Sequence, residues 1–134
     1  MISKKKKSSY ESRQDHIRSL KTPAIEVWEN KYADKDYIVH LETPEFTCIC
    51  PKTGLPDFAL IKLDYKPDRW CLELKSFKMY LTFYRNIGIF HEHLVNKLLE
   101  DIVKAAHPRW AKLIVVMNPR GGITTTVERE YDAK

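Results

Sequence analysis

Cys50 and Asp57 are the residues whose types and spacing best support chemistry in this chain. They stand in Phe46-Thr-Cys-Ile-Cys-Pro-Lys-Thr-Gly-Leu-Pro-Asp-Phe58, between two strand-like segments. Pro51 and Pro56 restrict the backbone and Gly54 releases it, so the stretch reads as a shaped loop and not a continuing strand. A thiol attacks carbon as its thiolate, and a neighbouring carboxylate can take the proton it sheds. Cys50 is therefore a candidate nucleophile and Asp57 its candidate proton-transfer partner. The competing account makes Cys50 one of the many buried, inert cysteines. A further alternative is a metal site: Cys48 falls on the same side of an extended chain as Cys50, with Cys71, His91 and His93 as other possible ligands. That Cys-x-Cys spacing lacks the paired motifs that mark zinc sites.

Three further clusters carry charge. Glu73-Leu-Lys-Ser-Phe-Lys-Met-Tyr80 places Glu73, Lys75 and Lys78 around a strand-to-helix transition. It is either a solvated edge or an anion site in which two lysines and free backbone N–H groups hold phosphate oxygens. His91-Glu92 follows Gly88 near the start of a long helix. Glu92 either complements the helix dipole, worth about 0.3–1 kcal/mol, or points into a pocket and accepts parallel N–H donors. Arg120-Gly121-Gly122 is a tight turn, or a guanidinium beside backbone that a phosphate can approach closely.

The elements that must position these residues follow from periodicity. Residues 36–42 read as a strand ending before Pro44. Residues 58–65 alternate, with Ala59, Ile61, Leu63 and Tyr65 on one face. Pro67 and Asp68 form a turn, and residues 70–75 return as a strand, which predicts a hairpin. Phe77, Tyr80, Leu81 and Tyr84 then make an apolar helical stripe. A longer helix runs from about Phe90, through Leu94, Leu98 and Ile102, and ends before Pro108. Residues 112–117 and 123–129 form a second hairpin across Asn118-Pro-Arg-Gly-Gly122. This order predicts an α+β fold, an antiparallel sheet of two hairpins with a helix pair on one face. Its free edges could be covered by oligomerisation.

The chain has 134 residues, enough for one domain. The formal net charge is +5, but Lys4 to Lys7 lie within the first nine residues, which hold no acid. Without those four, 19 of the 23 Lys and Arg residues remain against 18 Asp and Glu. The basicity thus belongs to residues 1–22, expected to be a partly disordered leader, and not to the catalytic domain expected over 23–134. This weakens a small RNA-binding module as a reading, and no direct nucleic-acid partner is expected. Three cysteines, and a lysine run followed by Ser8, Ser9, Tyr10 and Glu11, point to a reducing cytoplasm and not to secretion. No run approaches the roughly 18–20 apolar residues that span a bilayer.

Five stretches occur together in the order and spacing of one family: Glu45 to Phe58, Glu73 to Tyr80, Phe83-Tyr-Arg-Asn86, Phe90-His-Glu92 and Pro119-Arg-Gly-Gly122. Over roughly residues 36 to 125 the chain resembles the single-domain 7-cyano-7-deazaguanine reductases (QueF) of the tunnelling fold. The Glu-x-Lys-x-x-Lys-x-Tyr box separates these from zinc-dependent GTP cyclohydrolases of the same fold, which stand as the alternative. Met79 stands where the family more often has leucine, and Cys48 matches no required position. The resemblance implies NADPH-dependent reduction of a nitrile to an amine through a thioimide on Cys50, without metal, in queuosine biosynthesis. It implies proton transfer by Asp57 with His91 beside the nitrile, and substrate contacts from Glu92, Glu73, Leu74 and Ser76. Lys75, Lys78, Arg120 and Gly121 would contact NADPH. The fold implies pentameric rings closing a barrel, two of them stacked into a decamer, with sites between subunits.

Overall fold

A computed structural model describes residues 14–134, so the Lys4–Lys7 run and most of the leader lie outside the described residues. Its main sheet has four strands in the order β2 (Val39–Ile49), β3 (Pro56–Lys66), β5 (Trp110–Met117) and β6 (Thr126–Asp132), all antiparallel. A separate two-stranded sheet pairs β1 (Val27–Glu29) with β4 (Trp70–Leu72). Between β4 and β5 come α1 (Leu74–Phe83), a 3-10 turn at Tyr84–Asn86, and α2 (His91–Ala106). The fold is α+β, as the order of periodicities predicts.

The alternation in β3 buries Ala59, Ile61, Leu63 and Tyr65 on one face, and β5 adds Ala111, Leu113, Val115 and Met117. The helical stripe Phe77, Tyr80, Leu81 and Tyr84 joins the same core, as do Leu94, Leu98 and Ile102 of α2. The helix α2 packs on β5 and β6.

Three strand expectations fail, two of them for identifiable reasons. The strand beginning near residue 36 does not stop before Pro44. It continues to Ile49 because the register shifts between Thr43 and Phe46, and a bulge there accommodates a proline that cannot donate to the ladder. Nor do residues 58–65 and 70–75 form a hairpin. One side of β3 is taken by β2 and the other by β5, so β4 turns away to β1. The first hairpin is therefore β2–β3, and its connection is the Cys50 loop itself. The last strand begins at Thr126, three residues later than its apolar pattern suggests.

At the chain's start, Gln14 to Leu20, assigned to the leader on composition, pack against the body. Ile17 is buried in the core within a 3-10 turn at Ile17–Ser19.

Candidate active site

Cys50 lies one residue past the end of β2, where the chain turns back on itself. Its N–H donates to Leu55 O (2.9 Å), and its carbonyl accepts from Gly54 N (2.9 Å). Gly54 adopts φ 73°, which a side chain would resist. This single turn places Cys50 where an N-cap residue sits, with backbone N–H groups directed back at its side chain. Burial alone would raise the Cys50 pKa. The Thr53 hydroxyl and the backbone groups of Thr53 and Lys52 hydrogen-bond the sulfur, and the thiol ends below its ordinary range.

Cys48 has the opposite surroundings. It is fully buried among the core side chains, and burial, with the Asp57 and Cys50 charges adding to it, pushes its thiol up to about 12. Cys71 is likewise buried. Among the described residues, no group of three or more His, Cys, Asp and Glu side chains is placed to hold a metal ion.

Asp57, paired in register with Cys48, has a buried carboxylate near the start of β3. Its Oδ1 accepts from Arg120 Nη2, and its Oδ2 lies 3.5 Å from His91 Nε2. Two local features deliver those partners. The segment before α2 runs beside the end of β2, with Ile49 N donating to Ile87 O (2.9 Å) and Ile89 N to Ile49 O (3.1 Å). That pairing sets His91, two residues on from Ile89, against the Cys50 loop. On the other side, Asn118 N donates to Phe58 O (2.9 Å), pinning the β5–β6 turn next to Asp57. Arg120 and Ile123 exchange hydrogen bonds of 2.9 and 3.0 Å around Gly121 (φ 58°) and Gly122 (φ 80°). Two positive φ values in succession make this a type I′ turn, so both glycines are required by backbone conformation. The site thus brings together Cys50, Asp57, His91 and Arg120. Glu92 is exposed in the first turn of α2.

The Glu73–Tyr80 box divides its labour. The Glu73 carboxylate caps α1, accepting from Lys75 N (2.9 Å) and Ser76 N (2.7 Å), and these backbone bonds hold its pKa below the usual range. The Ser76 hydroxyl donates to Glu73 O (2.9 Å) and accepts from Glu26 N (2.8 Å). Tyr80 donates to Asp101 Oδ2 (2.5 Å), whose other oxygen lies 3.1 Å from the buried Lys97 ammonium. This buried link ties α1 to α2. Leu74, Lys75 and Lys78 face outward, and no carboxylate among the described residues lies within ion-pair distance of either lysine. The box is thus half scaffold and half free cations on the first turns of a helix, a fit for an anionic cofactor.

Composition gave no hint of Gln14. Its amide donates to Gly88 O (3.1 Å) and accepts from Phe90 N (3.1 Å), and it meets His93 Nδ1 at 2.9 Å. It thereby fixes the approach to α2. No periodicity marks a lone glutamine in a polar segment.

Comparison with known proteins gives the family. Residues 56–134 match the family described as QueF-like protein. A protein of Elusimicrobium minutum named NADPH-dependent 7-cyano-7-deazaguanine reductase is 50% identical over 123 residues, covering 90% of this chain and 92% of that one. One of the same name from Syntrophus aciditrophicus is 55% identical over 107 residues, 80% of this chain and 76% of its own. The crystal structure of the archaeosine synthase QueF-Like in the apo form superimposes with a TM-score of 0.66 at 28% identity, covering 72% of this chain and 94% of that one.

Proposed function

This chain belongs to the QueF-like family, and on that premise we propose that it reduces 7-cyano-7-deazaguanine to 7-aminomethyl-7-deazaguanine with NADPH, a step of queuosine biosynthesis. The observation that carries the site reading is the turn at Cys50, whose donors favour the thiolate beside a buried carboxylate. A nitrile is a poor hydride acceptor. Addition of the Cys50 sulfur to its carbon gives a thioimide, an activated C=N held in place. In that addition the Cys50 proton passes to Asp57 and then to the nitrile nitrogen, which takes the electron pair released from the triple bond. NADPH supplies the hydride that each of the two successive reductions requires.

Lys75, Lys78, Arg120 and Gly121 are the residues we assign to the cofactor. The exposed lysines of α1, with no ion-pair partner among the described residues, support this. Glu92 is assigned to the guanine-like edge of the substrate, where a carboxylate accepts a ring N–H and an exocyclic amine together. Glu73, Leu74 and Ser76 complete the substrate assignment. Glu73 keeps lone pairs beyond those used in capping, since a carboxylate offers about four.

A second copy of the chain completes the site in this reading. A groove of about 760 Å³, lined by Phe58, Leu74, Phe77 and Lys78 among others, lies between α1 and the edge strand β2. Phe58 and Leu74 are exposed there, and among the described residues β2, apart from its end at Ile49, and β6 have no further strand paired on their outer edges, which favours closure into pentameric rings and a decamer. All three cysteines are free thiols, in keeping with a cytoplasmic enzyme. No helix among the described residues is long and apolar enough to cross a membrane.

The test is NADPH oxidation on addition of 7-cyano-7-deazaguanine, with two cofactor molecules consumed for each nitrile reduced. Cys50→Ala should abolish it. Nitrile-dependent oxidation that survives in Cys50→Ala would remove the reading.

A further inference from the structure

The segment that leads into α2 is held from two sides. Toward the sheet, Ile49 N donates to Ile87 O (2.9 Å) and Ile89 N donates to Ile49 O (3.1 Å). In an extended chain the alternate groups, Gly88 O and Phe90 N, face the opposite way. Gln14 meets both of them: its Nε2 donates to Gly88 O (3.1 Å) and its Oε1 accepts from Phe90 N (3.1 Å). One side-chain amide thus does for that edge what a residue of a neighbouring strand would do.

Those two backbone groups also fix which way the amide points, because a carbonyl only accepts and an N–H only donates. His93 Nδ1 lies 2.9 Å from the same Oε1, so it is the nitrogen that carries the proton. Phe90 is the N-cap residue of α2 and has no side-chain oxygen, and His93 stands at the third helical position. In a capping box, a Glu or Gln at that third position reaches back to the N-cap N–H. Here Gln14, 76 residues away in the chain, supplies that acceptor, and His93 becomes a second donor to it. His91 and Glu92 lie between the two points that Gln14 holds.

We propose that Gln14 is a positioning residue for the substrate: its amide caps α2 from outside the helix and holds Glu92 where the guanine-like edge of the nitrile binds. This rests on the role given to Glu92 above and adds the group that keeps the carboxylate in place. The turns that carry Cys50 and Arg120 are closed by bonds of their own, Gly54 N to Cys50 O and Arg120 N to Ile123 O, which do not involve Gln14. Lys75 and Lys78 stand on a different helix, α1. Loss of Gln14 should therefore fall on nitrile affinity and spare both the cofactor and the chemical step.

The experiment compares Gln14→Met, which keeps length without hydrogen bonds, with Gln14→Glu, which keeps the oxygen that Phe90 N and His93 meet. Loss of one helix cap corresponds to roughly 3–30-fold in an equilibrium constant. In Gln14→Met, amide hydrogen exchange over a peptide from Gly88 to Leu94 should speed up by a factor in that range, with the rest of the chain unchanged. The nitrile KM should rise by a similar factor, while kcat and the NADPH KM stay at their wild-type values. Gln14→Glu should recover most of the protection and most of the affinity. The proposal is overturned if Gln14→Met exchanges like the wild type over that peptide, or if exchange rises there and the nitrile KM does not. It is equally overturned if the nitrile and NADPH KM values rise together, or if Gln14→Glu behaves as Gln14→Met does. A wild type that oxidises no NADPH on addition of nitrile would instead remove the proposed function and the substrate half of this inference, while the exchange comparison would still decide whether Gln14 caps α2.

Discussion

Cys48 and Cys50 are two residues apart, and the end of a strand lies between them. Cys48 is still in β2, with its backbone engaged in the ladder and its sulfur sealed in the core, and burial drives its thiol up to about 12. Cys50 has left the sheet. Its side chain is also partly desolvated, but the turn that follows aims the Lys52 and Thr53 backbone and the Thr53 hydroxyl at the sulfur, and its thiol falls below the ordinary range. Burial raises both, so the difference in sign comes from the donors. A strand directs its N–H groups within the sheet plane and away from its own side chains, whereas the first turn after it aims several back at one. Reactivity here is a property of where the ladder stops.

That contrast can be tested at four depths. The largest effect should come from Asp57→Asn, which keeps shape but cannot accept a proton. Turnover should fall by about 10²–10⁴-fold in steady-state assays while nitrile binding persists. Normal turnover would move the proton work to His91. Next is Glu92→Ala, which should weaken nitrile binding by about 1.5–3 kcal/mol in calorimetric titration, since charged hydrogen bonds are lost. Wild-type affinity in that variant would leave Glu92 as only a helix-start acid. Third, Thr53→Val removes the hydroxyl donor to Cys50. Because that donor favours the thiolate, the pH at which alkylation of Cys50 by iodoacetamide reaches half its maximal rate should move upward, and Thr53→Ser should restore it. An unchanged profile would leave the backbone groups as the sole cause. Smallest is Cys48→Ala. It should cost about 1 kcal/mol in denaturant unfolding and leave turnover unchanged.

Periodicity made the core faces legible. The alternation of Ala59, Ile61, Leu63 and Tyr65, and the stripes in α1 and α2, appear in the structure as they read in the chain. The pairing of β3 was not legible, because turn signals report neighbours in sequence and β5 arrives from more than forty residues away. Pro44 read as a strand end because a bulge depends on the partner strand. Cys50, Asp57, His91 and Arg120 were identifiable as residue types with motif spacing, and the structure brings them together. Their roles in catalysis are the reading offered here. What spacing did not reveal was that the Glu73 carboxylate caps its own helix, and that Gln14 reaches across to α2.

The most direct measurement of the central claim is to mix the protein with 7-cyano-7-deazaguanine in the absence of NADPH, digest it, and locate the added mass by peptide mapping. Cys48 and Cys50 share a peptide, so fragmentation must place the modification between them, with Cys48→Ala and Cys50→Ala as controls. The expected result is one nitrile per chain on Cys50, retained in Cys48→Ala and absent in Cys50→Ala. An adduct on Cys48, or one that persists in Cys50→Ala, would contradict the assignment of the nucleophile to the turn beyond the strand.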